Sequence, residues 1–574
     1  MPASSSAQVS WVPGVQMIRR YRSEWLRGDL MAGVAVSALM IPHGMAYAEL
    51  AGVPAVTGLY TTITAVLAYA LFGPSRVLLL GPDSSLAPLI AAAIAITASD
   101  GEPGTAIAIA GMLALMTGGF CVLAGLSRLG SIAELLSRPV QLGYLNGLAI
   151  VMVVSQASKL AGFSVSGDTP IEQTRDFVTG VADGLVNVSA LLIGVTALIS
   201  ILVLSRVSSS IPAVLIVVVG AIVTVRVFDL ADDGVAIVGE LPRGFPSPAW
   251  PSVELATVPS LMLASVGLAW VTLSDTTALS RGFAARTGER VDPNREIIAL
   301  GISNVAAGAF SGFPVSASTS RTTIAHASGG NTQLVGVVSA VLVLALLVAG
   351  GGLVEFLPST ALAAIVIAAA IKLFDAHQVH WLYSVRRSEF ALCIAATVGV
   401  VLLGVLNGLA IAVGMSLVNF IRRVWRPYDA VLGRIDQRKG YHDLGRHPDA
   451  RQVPGLVLFR FDAPLFFANS DHFERRVRAA MADSPDRVRR LVIAAEPITD
   501  IDTSAAAMLQ ILIHDLQRDH IELGFAELKG PVKDRLIQYG LYDQIGSSHF
   551  HSTIGAAVKS YVRSYDVDWT NWDD

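Results

Sequence analysis

Cysteine is almost missing from this chain: only Cys121 and Cys393 occur in 574 residues. Both fall in apolar stretches without a partner at C-x-x-C spacing, which excludes a disulfide framework and a thiolate zinc site. Charge is scarce too. Only 15% of residues are charged, against about 25% in a soluble protein. A G-x-x-x-x-G-K-[ST] phosphate loop is absent, as is any kinase, cyclase or nucleotide-binding motif, so neither an enzyme nor a cofactor is expected. The opening MPASSSAQVSWVPGVQMIRRYRSEWLRGD is polar and basic, with no apolar core before Leu30. It reads as a cytoplasmic leader rather than a cleavable signal. The net charge of −4 says little, because the sign of individual loops matters more.

What is abundant is apolar: 53% of residues are hydrophobic, and they are unevenly placed. Residues 29–425 hold long apolar runs, whereas 426–574 read like a soluble protein. A bilayer core needs about 20 apolar residues per helix. On that ruler spans are expected near 29–48, 55–72, 83–98, 105–126, 139–160, 187–205, 209–227, 257–280, 293–311, 316–328, 333–353, 358–374, 388–406 and 408–424. The third and tenth of these fourteen are too short or too broken to be ordinary crossings.

Loops rich in Lys and Arg stay cytoplasmic. With the N-terminus inside, the internal loops carry Arg76, Arg128, Arg138, Arg206, the group Arg281, Arg286, Arg290 and Arg295, and Lys372, Arg386 and Arg387. The external loops carry Asp100, Glu102, Asp168, Glu172, Asp176, Asp183, Asp229, Asp232, Asp233 and Glu240. An even span count then places the tail after Arg422 and Arg423 in the cytoplasm as well.

The informative places are where the backbone breaks. In FGPSRVLLLGPDSSLAPLIAAA a short apolar run meets Gly81 and Pro82, and a helix is predicted from Asp83. In FSGFPVSASTSRTTIAHASGG, Gly312 and Pro314 precede a helix predicted near Ser316. Proline suits the first turn of a helix, and Ser or Asp beside it caps free amides. Irregular backbone at membrane depth is tolerated only inside protein or beside a wet cavity. The free amides and positive dipole end of such a start form an anion site. Each break is the third span of a seven-span half. If the halves are inverted repeats, about 29–228 and 256–425, the two starts face each other at the midplane. A pair of packing kinks is the plainer alternative.

At these residues the chain resembles the sulfate permease (SulP) family of anion transporters. The matching strings are IPHGMAYAELAGVPAVTGLY at 41–60, the broken segments at 72–87 and 310–322, and a C-terminal STAS domain. The resemblance implies a polytopic α-helical membrane protein of fourteen spans in two inverted repeats. It further implies a core unit moving against a gate unit in an elevator-like cycle, and a homodimer in the cell membrane. Carried over by position, the anion pocket would be lined by Asp83, Ser84 and Ser85, by Ser316, Ala317 and Ser318 with Ser320 and Arg321, and by His43 and Tyr47. Arg321 would add positive potential, since a buried intramembrane cation is costly; a snorkelling or helix-pairing arginine is the alternative. Asp275 in the eighth span stands where the family often has an acid. A carboxylate in low dielectric can carry a proton, which makes Asp275 the expected proton-coupling group, or else a cap or partner of Arg321.

The chain departs from the family pattern in three places. Position 43 is His where Gln is usual, which adds a titratable group or only a hydrogen-bonded one. Position 83 is Asp where many members are uncharged. Such an acid repels an anion unless it is protonated or turned back as a cap, and capping is the favoured reading. One turn after the eighth-span acid stands Leu279 instead of the hydroxyl of the sodium-coupled bicarbonate branch. This weakens sodium coupling, although Thr276 and Thr277 can substitute.

From Val453 the pattern becomes short strands alternating with amphipathic helices, giving a small α/β domain expected over 453–565. A linker over 426–452 would precede it and a tail over 566–574 follow. ITDIDTSA at 498–505 resembles the STAS loop whose hydroxyl is phosphorylated in anti-sigma antagonists, here Thr503; Asp502 and Thr503 as a helix cap is the plainer alternative. The expected activity is secondary active transport of a small anion, sulfate first, with bicarbonate or a C4-dicarboxylate as rivals and a proton as co-substrate. An anion channel and a membrane sensor are the other classes weighed.

Overall fold

A computed structural model describes residues 12–97, 103–130, 137–165, 167, 169–207, 212–242, 244–288, 291–436 and 438–569. Asp100, Glu102, Asp168 and Arg290, used above for orientation, lie outside the described residues, as do the first eleven and last five residues. The chain divides into two compact units, residues 1–416 and 417–574.

The first unit opens with α1 (Pro13–Arg19), α2 (Leu26–Leu50) and α3 (Ala55–Phe72), then a two-residue strand β1 (Leu80–Gly81) and α4 (Ala87–Thr97). Next come α5 (Pro103–Leu126), α6 (Arg138–Leu160), α7 (Pro170–Ala182), α8 (Val188–Val207) and α9 (Ala213–Val227). After a long loop follow α10 (Val258–Thr287), α11 (Pro293–Ala309), strand β2 (Ser316–Ala317), α12 (Thr319–Ala327) and α13 (Leu334–Ala349). It closes with α14 (Gly351–Val354), α15 (Ser359–Leu373), α16 (Ala376–Val385), α17 (Arg387–Leu403) and α18 (Val405–Trp425), which crosses the unit boundary. A helix overlaps each of the fourteen expected intervals. Among the described residues eight helical segments are long and apolar enough to cross a membrane alone; α4, α9 and α13 are apolar but shorter.

The outward faces are apolar, with Leu192 and Val203 of α8 exposed, as lipid-facing positions require. Inside, close packing rests on small residues. A Cβ on Gly58 of α3 would lie 1.9 Å from the carbonyl oxygen of Gly44 in α2, so these backbones touch. Replacing Gly58 with Val is expected to push α2 outward at a cost of about 1–3 kcal/mol or more. A lowered melting temperature of the purified chain would report it. The α5–α11 crossing is built alike: a Cβ on Gly118 would meet the Gly301 carbonyl oxygen at 2.6 Å, and one on Gly308 the Gly111 carbonyl oxygen at 2.5 Å.

Polar groups at membrane depth are held by specific partners. Asp29, fully buried in α2, accepts from the amides of Asn331 (2.6 Å) and Thr332 (3.1 Å) and from Thr332 Oγ1 (2.6 Å). It thereby pins the loop that leads into α13 from three hundred residues away.

In the second unit a six-stranded sheet has the order β4-β3-β5-β6-β7-β8. Its strands are β3 (Asp429–Arg434), β4 (Tyr441–Asp443), β5 (Leu456–Phe461), β6 (Arg490–Ala494), β7 (Glu522–Ala526) and β8 (Phe550–His551). The helices are α19 (Ser470–Ala482), α20 (Thr503–Arg518), α21 (Gly530–Gln538), α22 (Leu541–Ile545) and α23 (Ile554–Tyr565). Strands β5 to β8 are parallel, whereas β3 pairs antiparallel with both β4 and β5. This corrects the expected linker over 426–452. Its residues 429–434 extend the sheet, alternating half-buried and buried side chains over 429–432 and staying buried to 434, with Asp429 opposite Phe461. Arg478 of α19 reaches Asp515 of α20 at 2.6 Å, and that hydrogen bond holds the Asp515 carboxyl below its usual range.

Candidate functional site

The two broken segments meet. Leu80 pairs with Ala317 and Gly81 with Ser316 in an antiparallel two-strand ladder. Ser318 N extends it by donating to Leu79 O at 3.1 Å, and Thr322 Oγ1 accepts from Leu79 N at 3.2 Å. The ladder takes up Ser316 and Ala317, so α12 begins later than expected, while residues 84–86 form a turn ahead of α4. α4 starts at Ala87 rather than Asp83, and α12 at Thr319 rather than Ser316. Because the strands are antiparallel, α4 and α12 leave the pair in opposite directions.

Asp83 turns back onto its own segment. Its Oδ1 accepts from Ser85 N (3.0 Å) and Ser85 Oγ (2.9 Å), a cap-like arrangement. Ser85 Oγ also lies 3.0 Å from Asp275 Oδ2 on α10. On the other side Asp83 Oδ2 is 3.9 Å from Arg321 Nη2, an ion-pair distance too long for a hydrogen bond. The start of α12 differs, since among the described residues the Ser318 side chain makes no capping bond and instead meets Ser320 Oγ at 3.1 Å. Arg321 is 3% exposed, and its Nη1 donates to Pro82 O at 2.6 Å. Its Nε and Nη2, like the buried Ser316 hydroxyl, have no hydrogen-bond partner among the described residues. An unsatisfied buried guanidinium beside an uncapped helix start is an arrangement that accepts an anion.

His43 and Tyr47 on α2 stack edge to face with centroids 5.6 Å apart. His43 Nδ1 donates to Leu39 O at 2.9 Å, and Nε2 makes no hydrogen bond among the described residues. Tyr47 is buried against Ser84 and faces Asp83 and Arg321. Ala317 contributes its backbone, since its amide donates to Thr276 Oγ1 at 3.3 Å. That bond occupies one of the two hydroxyls considered for sodium, and Leu279 packs in an apolar cluster with Tyr69, Leu80 and Ala317. Ser320 is exposed.

Several supporting residues were not singled out from the sequence. Asn304 of α11 pairs with Val315 like a strand neighbour, accepting its amide at 2.9 Å and donating to its carbonyl at 3.2 Å. Thr61 Oγ1 accepts from Phe313 N at 3.0 Å. Glu296, fully buried, accepts from the Tyr69 hydroxyl, from Ser75 Oγ (2.6 Å) and from Ser280 Oγ (3.2 Å). Tyr144 of α6 stands within electrostatic reach of Asp275, its buried hydroxyl unpartnered among the described residues. The available signal was a polar side chain inside an apolar span, which is costly unless it has a task.

A sequence model of the sulfate permease family matches residues 26–396, and one of the STAS domain matches 447–557. The chain belongs to the sulfate permease family. It is 39% identical over 563 residues to a probable sulfate transporter of Mycobacterium tuberculosis, covering 98% of this chain and 100% of that one. To the chloroplastic sulfate transporter 4.1 of Arabidopsis thaliana it is 28% identical, covering 98% and 85%. Among solved structures, the murine solute carrier 26 family member A9 anion transporter in its inward-facing state superposes with a TM-score of 0.89 at 20% identity, covering 98% and 96%. The transmembrane domain of a cyanobacterial bicarbonate transporter, BicA, gives 0.59 at 22% identity, covering 69% and 98%. The fold is thus that of a helical, multi-pass membrane transporter with a C-terminal STAS domain. In the STAS domain of this chain, Asp502 Oδ1 accepts from Ala505 N at 2.8 Å and caps α20, while Thr503 is its exposed first residue.

Proposed function

We propose that this chain is a secondary active transporter of a small oxyanion, sulfate first, driven by protons. Arg321 is the observation that carries the reading, with two buried guanidinium nitrogens that make no hydrogen bond among the described residues, beside the uncapped start of α12. Ser316, Ser318 and the α12 amides supply further donors, and hydroxyls and amides hold an oxyanion without fixing its charge. The substrates in the relatives' names favour sulfate over bicarbonate or a dicarboxylate. Asp275, 3.0 Å from Ser85 Oγ, is the proton carrier. The fourteen spans as paired inverted repeats, an elevator-like cycle, a homodimer, a cell-membrane location with a cytoplasmic tail, and Thr503 as a regulatory hydroxyl complete the reading.

Uptake of labelled sulfate into proteoliposomes, competed by unlabelled sulfate, bicarbonate and fumarate at two pH values, tests it. Sulfate uptake that rises with an inward proton gradient is expected. Uptake indifferent to pH, or competed only by fumarate or bicarbonate, would count against it. Asp275→Asn should remove the dependence on the proton gradient, a loss within the roughly 5–150-fold range of such couplings. Gradient-driven uptake unchanged in that variant would sink the role given to Asp275.

A further inference from the structure

Ser85 sits between two carboxyl groups, with Oγ 2.9 Å from Asp83 Oδ1 and 3.0 Å from Asp275 Oδ2. A hydroxyl has one hydrogen to donate. Both contacts are hydrogen bonds only if one carboxyl carries a proton and donates it to Ser85 Oγ while Ser85 donates to the other. The opposite oxygen of Asp83 faces Arg321 at 3.9 Å, so an anionic Asp83 lies where an incoming anion finds its guanidinium. Resting on the transport reading above, we propose that Asp83 is a tethered counter-anion for Arg321, which a proton passed through Ser85 from Asp275 neutralises when the substrate anion binds.

The transfer balances in two hops. The Asp275 Oδ2–H bond breaks as Ser85 Oγ–H forms, and the former Ser85 hydrogen forms an O–H bond on Asp83 Oδ1. Charge is conserved, but the negative charge moves from the segment beside Arg321 to α10. A second proton, taken up by Asp275 from the open side, then lets anion and proton travel together. Other titratable or charged groups face this pair. Tyr47 of α2 and Arg321 of α12 stand within electrostatic reach of Asp83, and Tyr144 of α6 within reach of Asp275. His43 of α2 faces Arg321 and Lys372 of α15. The test therefore varies Asp83 and the Ser85 bridge separately.

The test is apparent sulfate affinity of the purified full-length chain, by calorimetry, from about pH 5.5 to about pH 8.5, with bicarbonate and fumarate as further probes. One coupled proton gives wild type a limiting loss of about tenfold per pH unit on alkalinisation. Asp83→Asn removes the competitor, so it should bind at least about tenfold more tightly than wild type at the alkaline end and lose most of the slope. Asp83→Glu keeps a carboxyl and should keep the slope. Should Asp83→Asn fail to reach the membrane, Ser85→Ala retains both acids without the bridge and should show less than about half the wild-type logarithmic slope. Asp83→Asn binding no tighter than wild type at alkaline pH, or Ser85→Ala with an undiminished slope, overturns the proposal alone. A wild-type chain that binds none of the three anions at any pH overturns the transport reading and the proposal with it.

Discussion

Arg321→Gln is expected to lower sulfate uptake by at least about 100-fold. Each hydrogen bond to a charged group contributes about 1.5–3 kcal/mol, and about 1.4 kcal/mol corresponds to tenfold in affinity, so losing two guanidinium donors to the anion reaches that size. The same change removes the Nη1 bond to Pro82 O at 2.6 Å that ties α12 to the first break. It also leaves Asp83 without its cation, and breaking a buried pair from one side costs about 3–5 kcal/mol. Part of the loss would therefore be folding, which Arg321→Gln combined with Asp83→Asn separates. The double variant should recover the yield of monodisperse protein on size exclusion yet stay inactive in proteoliposomes. Uptake by the single variant within about threefold of wild type would contradict the role of Arg321.

Glu296→Ala should strongly destabilise the membrane unit. Its carboxylate collects hydroxyls from α3 (Tyr69), from the run leading into β1 (Ser75) and from α10 (Ser280). It lies in the first turn of α11, where the dipole favours negative charge. Removing it strands three buried donors, at about 1–3 kcal/mol each. A total of about 3 kcal/mol or more would appear as a large fall in melting temperature. Glu296→Gln keeps one carbonyl acceptor and should be distinctly milder. Equal melting temperatures for Ala and wild type would show that these hydroxyls find other acceptors.

How much of this was legible in the chain follows the range of the interactions. Gly81, Pro82, Gly312 and Pro314 mark the breaks locally, because glycine and proline constrain their own backbone wherever they stand. The cap formed by Asp83 and the strand and helix alternation after Val453 are local as well. α12 begins three residues later than its sequence predicts, because Ser316 and Ala317 pair with Gly81 and Leu80, a partner invisible within either segment alone, and α4 begins four residues later, after a turn at 84–86. The strand Asp429–Arg434 reads as linker for a similar reason: its partner, Leu458–Phe461, lies some thirty residues away.

The sequence by itself determined the solvent of each part of the chain and the two buried backbone breaks, since composition and breaker residues act at their own positions, and the resemblance to the sulfate permease family supplied the candidate anion-binding and proton-carrying residues. Only the tertiary structure decided which of those residues share a hydrogen. Asp83 and Ser85 are neighbours, but Asp275 is 190 residues from Ser85, and Arg321 reaches Pro82 across 239. Such contacts depend on how helices pack through glycines such as Gly44 and Gly58, and packing is a property of many segments at once.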